Sequence, residues 1–188
     1  MKRKILAVAV AVLSLASWSM AADEIKSGLK VGEGVGPFDV TKLAGAEGDS
    51  VKIGQQLCYR CKNGSRPQVM IFTRSSDEKV VALVKKLDAE LGKNSDKQLR
   101  AFVNYLGESK DGAADAAKKL AKATKAENVP FVVPNEFENG PEDYGLNAKA
   151  EVTILVANEG KVVANHAYAK AKDIDTDSVV KDVAKALN

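Results

Sequence analysis

Apolar residues follow two rhythms along this chain. From Gln68 to Thr73 (QVMIFT) they run almost unbroken, bounded by Pro67 and by the polar Arg74-Ser75-Ser76, the pattern of a short buried strand. Beyond that point the period lengthens. Val80, Val81, Val84, Leu87 and Leu91 return on one helical face. Ser75 reads as the N-cap of this helix, with Glu78 three residues on completing a capping box, and Gly92 to Asp96 closes it. Leu99 to Leu106 sets Ala101, Val103 and Tyr105 on one parity and Phe102 and Leu106 on the other. That fits a strand buried on both faces, as parallel sheets require.

The later segments continue the alternation. An alanine- and lysine-rich helix is expected over Ala113 to Ala126, with Asp111 near its start and Lys122 and Lys125 near its end, as the helix dipole favours. Val129 to Val133 is a short strand between prolines, and Asn135 to Gly145 an acidic loop. Val152 to Ala157, the turn Asn158-Glu159-Gly160 and Lys161 to Tyr168 form a hairpin. Asp175 or Thr176 caps a last helix whose Val179, Val180, Val183 and Leu187 share a face. Ahead of the central strand, residues 22 to 36 read as a glycine-rich irregular lead-in. Pro37 to Leu43 reads as a strand, Gly45 to Asp49 as a turn, and Ser50 to Ile53 as a second short strand. Strands separated by helices pair in parallel, and the late hairpin adds an antiparallel edge. The expected class is α/β, a mixed central sheet flanked by helices.

The first 21 residues read differently. Lys2-Arg3-Lys4 precede an apolar stretch from Ile5 to Trp18, and Ser19-Met20-Ala21 supplies the small residues of a cleavage site. This is a signal peptide, with the cut placed after Ala21, and it removes Trp18. The apolar run is too short, and too soon followed by Asp23, Glu24 and Lys26, to span a bilayer. Export to the periplasm or the outside is the expected destination. Charge follows from this. The chain holds 28 basic and 25 acidic residues, and the signal contains three basic and no acidic ones, so the mature part carries 25 of each. Its net charge is zero, and no basic stripe interleaved with aromatics marks a nucleic-acid partner. Residues 22 to 188 are enough for one domain with a core of its own.

Two stretches carry a likeness. Val31 to Leu43 (VGEGVGPFDVTKL) is a glycine-rich lead into a strand. Tyr144-Gly145-Leu146, the apolar Val152 to Val156 and then Asn158-Glu159-Gly160-Lys161-Val162-Val163 form a second block. Together they resemble thioredoxin-fold proteins of the redoxin kind, the group that includes peroxiredoxin-like and thiol-disulfide exchange domains of exported bacterial proteins. The resemblance covers most of the mature chain and implies a thioredoxin-like sandwich. It also implies an attacking cysteine within a few residues of the central strand, and a cis-proline before the late apolar strand. Here the first place holds Ser75, Ser76, Asp77, Glu78 and Val80, with Thr73-x-x-Ser76 standing where a peroxidatic threonine-x-x-cysteine would be, and the second holds Ala150. A serine hydroxyl stays protonated and does not take up peroxide oxygen as a thiolate does, so a peroxidase role is disfavoured.

Both cysteines, Cys58 and Cys61, lie before the central strand instead. A C-x-x-C in an exported chain suits thiol-disulfide exchange, one thiolate attacking a partner disulfide and the other resolving the intermediate. By order alone Cys58 is the attacker and Cys61 the resolver. Arg60, with Lys62 and Arg66 close by, is a possible thiolate stabiliser. The alternative is a structural disulfide in a catalytically silent module that binds another exported protein; a bridge over so few residues would be a weak staple. A zinc site would need two further ligands, and there is one His and no other Cys. No cofactor motif is present, since the glycines at 32, 34 and 36 lack the strand before and helix after them that a dinucleotide site needs. His166 reads as a satisfied sheet residue, and Tyr59 is assigned no role.

Overall fold

In the computed structural model, residues 25–188 are described; the expected signal peptide, its cleavage site and Trp18 lie outside the described residues. The central strand is where the apolar run puts it, Gln68–Thr73 (β3), with all six residues buried. Before it come Val40–Ala44 (β1), Gln56–Leu57 (β2) and a short helix, Tyr59–Asn63 (α1). After it come Glu78–Lys93 (α2), Arg100–Tyr105 (β4), Lys110–Thr124 (α3), Phe131–Pro134 (β5), the hairpin Val152–Asn158 (β6) and Lys161–Tyr168 (β7), and Thr176–Ala186 (α4).

The strands form a single seven-stranded mixed sheet in the order β2-β1-β5-β4-β3-β6-β7. β3, β4 and β5 are parallel, as helical crossovers dictate. The hairpin extends one side, and β6 itself runs antiparallel to β3, with Val69 opposite Val156. On the other side β1 runs antiparallel to β5 and to β2. The parity expected of β4 holds. Ala101, Val103 and Tyr105 join Val69 and Ile71 in a core covered by α2, α3 and α4. Phe102 and Leu106 face the opposite side with Met70, Phe72, Phe38, Tyr59 and Tyr144. That second layer is built from loops, the lead-in and α1, so the two faces of the sheet are covered by very different material.

Several expected boundaries move, each for a local reason. Ser75 does not cap α2. Thr73 and Ser75 close a turn on themselves, Ser75 N–H donating to Thr73 Oγ1 (3.1 Å) and Thr73 Oγ1–H to the Ser75 carbonyl (2.8 Å). Ser75 Oγ then accepts from Asp77 N–H, and Asp77, the true N-cap, accepts from Lys79 N–H (2.8 Å). α2 runs on to Lys93, and Leu83 joins its buried face while Val81 is only half-buried. α3 begins earlier than expected, at Lys110, because Ser109 Oγ accepts from Gly112 N–H. Ser50 to Ile53 is not a strand; the pairing partner of β1 is Gln56–Leu57. At the last helix Asp175 rather than Thr176 is the cap, accepting from Ser178 N–H at 3.0 Å. Asp175→Ala is expected to cost about 1 kcal/mol in urea unfolding, with no change in the far-UV spectrum of the rest of the fold.

Candidate functional site

α1 is five residues long and its sequence, YRCKN, has no helical period. Local covalent and hydrogen-bonding constraints hold it. Cys58 is the N-cap, its Sγ accepting from Cys61 N–H at 3.0 Å, and the two sulfurs are bonded to each other (2.08 Å, Cα to Cα 5.2 Å). Gly64 ends the helix at φ 64°, donating its N–H to the Arg60 and Cys61 carbonyls. A left-handed φ favours glycine here, so the NGS turn after the cysteines is what stops the helix. Cys61 is exposed and Cys58 half-buried.

α1 is seated by Tyr59. The ring is buried and stacks on Phe102 with centroids 5.7 Å apart. Its hydroxyl donates to Asp49 Oδ2. Asp49 Oδ1 in turn accepts from Lys42 Nζ (2.7 Å) and from Val51 N–H (2.8 Å). Lys42 is 1 % exposed, and its ammonium also donates to the carbonyls of Ala46 and Val51, both 2.9 Å away. Burial, then the hydrogen bond to and charge of Asp49, push the Tyr59 phenol well above its ordinary range, so it remains protonated and a donor. Residues 45 to 52 are therefore wrapped around one buried cation, with Ala46 and Ser50 at positive φ. This is why the expected strand at Ser50 to Ile53 does not form. A lysine in a β-rich segment reads as solvent-facing, so neither Lys42 nor Tyr59 announces its role in the sequence.

Arg60 sits half-buried, its Nη2 3.3 Å from the place a Cβ on Gly160 would occupy. Its Nε is buried without a hydrogen-bond partner among the described residues. Burial raises the Tyr144 phenol and the Arg60 charge opposes that rise, so the guanidinium lies toward Tyr144 and the β6–β7 turn. No hydrogen bond joins it to either sulfur among the described residues. The structure thus brings Cys58 and Cys61 together and directs Arg60 elsewhere.

The usual redoxin position lies apart from this pair. Ser76 is exposed at the end of β3, its Oγ 3.3 Å from the Tyr105 hydroxyl. Ala150 is buried, its N–H bonded to the Asn147 carbonyl. β2 and β3 are separated by four strand intervals in the sheet, about 19 Å at the standard spacing. β2 nevertheless runs parallel to β5, and Leu57 is level, through Val40, with Pro134 at the end of β5. The disulfide follows β2, and the helix it caps turns beneath the sheet, with Tyr59 on Phe102 of β4 and Asn63 Nδ2 donating to Gln68 Oε1 at the start of β3. His166 is on β7 with Nε2 3.1 Å from Asp182 Oδ2. Among the described residues no group of three or more His, Cys, Asp or Glu is arranged to hold a metal ion, and no helix is long and apolar enough to cross a membrane.

No protein-family model matches the sequence, and no curated protein matches it. Solved structures do. One described as the thiol:disulfide interchange protein DsbE from Chlorobium tepidum superposes with a TM-score of 0.61 at 16% identity, over 85% of this chain and 99% of that one. AhpC from Mycobacterium tuberculosis gives 0.60 at 14% identity, over 85% and 99%. A structure described as a protein disulfide isomerase from Bacteroides thetaiotaomicron gives 0.60 at 16%, over 87% and 94%. Such identities speak for the fold and leave the chemistry to the residues. With its parallel β3-β4-β5 core, antiparallel β6–β7 hairpin and helix-covered face, the chain has the thioredoxin-like fold of the redoxins.

Proposed function

We propose that this is an exported thiol-disulfide exchange protein acting through Cys58 and Cys61. The observation that carries the reading is the position of Cys58 at the start of α1, its sulfur accepting the Cys61 N–H at 3.0 Å beside an exposed Cys61. In the reduced protein the Cys58 thiolate attacks one sulfur of a partner disulfide, forming a mixed disulfide and releasing a partner thiolate. The Cys61 thiolate then attacks Cys58 Sγ, closes the Cys58–Cys61 bond and releases the second partner thiolate. Two electrons pass from the pair to the partner, and the reverse sequence oxidises a partner dithiol. Arg60, which makes no hydrogen bond to either sulfur, would act on thiolate stability through its charge. The domain spans residues 22 to 188, and the basic and apolar first 21 residues direct export.

The test is the reduction potential of the pair in the mature protein, from thiol trapping in glutathione buffers. A value of roughly −120 to −270 mV is expected of a cycling pair. A value below about −300 mV marks an inert structural bridge and would leave a protein-binding module in place of an exchanger. In C61S, the reading further expects a mixed disulfide at Cys58 to accumulate with a model disulfide substrate, whereas C58S would accumulate far less.

A further inference from the structure

Opposite the disulfide, the same short helix closes one wall of a cleft of about 560 Å³ at the foot of β4 and β5. We infer that this cleft binds a small oxyanion-bearing molecule, a carboxylate or phosphate ester, held by Lys62, Arg66 and Arg100. The volume is that of a small-molecule site, and the walls divide as such sites do. Tyr59, Leu91, Leu99, Ala101 and Pro130 supply the apolar surface. The three cations line its rim with Glu127 as the opposing exposed charge. Asp49 also reaches the cleft, but both its oxygens are taken, one by Lys42 Nζ and Val51 N–H, the other by the Tyr59 hydroxyl. Its charge is balanced within the protein, so the cleft presents a net positive face to a ligand.

Arg66 is set in advance. Its Nε donates to Gln98 Oε1 at 2.6 Å, and Nη1 donates to the carbonyls of Lys62 and Asn63. Gln98 holds this position from a left-handed backbone, φ 55°, a conformation that non-glycine residues seldom adopt. The far wall is fixed as well, because the Asp88 carboxylate accepts the N–H groups of Glu127 and Asn128. Nε and Nη1 of Arg66 are committed to these partners, so it offers an oxyanion its Nη2 as a single charged donor whose orientation is already fixed and which loses little freedom on binding. Nothing in this inference depends on the chemistry of the disulfide.

The probes are inorganic phosphate and citrate, titrated separately into the oxidised mature protein and followed by backbone amide NMR at low ionic strength. Saturable shifts at residues 62–66, 95–100 and 127–128 with either probe support the site, and which probe binds more tightly separates phosphate from carboxylate recognition. K62Q and R100Q should each weaken binding about threefold to tenfold. K122Q, on the exposed face of α3, should leave it unchanged, and added salt should weaken it. Shifts that never saturate, that are spread over all lysines, or that persist equally in K62Q and R100Q would overturn the assignment. Both variants replace exposed side chains, and an unchanged amide spectrum without ligand establishes that they fold.

Discussion

Lys42→Ala should destabilise the domain by about 3–5 kcal/mol, the cost of removing one member of a buried ion pair and leaving the other uncompensated. The ammonium is the hub of four groups: the Asp49 carboxylate, the Ala46 and Val51 carbonyls and, through Asp49, the Tyr59 hydroxyl. Removing it leaves the Asp49 charge and the two carbonyls without their donor, while the Tyr59 hydroxyl keeps Asp49 as its acceptor. The measurement is the urea midpoint and slope of the mature protein. The double variant K42M/D49N removes both charges and should recover more than half of the loss, because the stranded charge dominates the cost. A loss below about 1 kcal/mol in K42A would mean that the 45–52 loop holds its shape without the cation. Tyr59→Phe gives an intermediate result, since one acceptor on Asp49 loses its donor while Lys42 remains.

Phe102→Ala is the second large effect, about 3–5 kcal/mol for emptying a fully buried aromatic site. At this chain length that lowers the melting temperature by about 2–4 °C per kcal/mol. The informative comparison is with Leu83→Ala. Both residues are completely buried, but Leu83 belongs to the layer under α2 while Phe102 carries the Tyr59 ring and, 6.1 Å away, that of Phe38. Reduction of the disulfide by dithiothreitol should therefore quicken in F102A, where α1 has lost its platform. In L83A it should stay near the wild-type rate at matched residual stability. Equal rates in the two variants would show that the disulfide is held by its own loop and not by the sheet beneath it.

These two residues also show how the sequence informs and where it does not. β3 and β4 are legible because burial on both faces leaves no polar alternation to confuse the pattern; QVMIFT and the parity within LRAFVNYL admit little else. α2 is legible from its period, but its cap is Asp77 and not Ser75, since Thr73, Ser75, Ser76 and Asp77 can all accept a backbone N–H and only the folded turn selects among them. α1 and β2 leave almost no trace. Two residues make no period, and the helix exists through a disulfide, a capping sulfur and the Tyr59 ring resting on Phe102 in a strand much later in the chain. The candidate pair Cys58 and Cys61 was visible as a motif. Its placement at a helix start was not, nor was the support that Lys42, Asp49 and Tyr59 give it. Arg60 lies beside both cysteines in sequence, and the fold sets its guanidinium against Gly160 and toward Tyr144.

The strand order has a consequence for how the molecule is made. Among the described residues up to the end of α3 at Thr124, the only strand pairings that can close are β1 with β2 and β3 with β4. β1 then waits for β5, Val40 meeting Pro134, and the open side of β3 waits for β6, Gln68 meeting Ala157. Long loops must close before either contact is rewarded, which places this topology among the slower folders of its size. During that interval QVMIFT, a strand buried along its whole length in the finished fold, keeps a bare hydrogen-bonding edge, the kind of surface on which nascent chains join one another. The last hairpin is thus both the completion of the sheet and the lid over that edge.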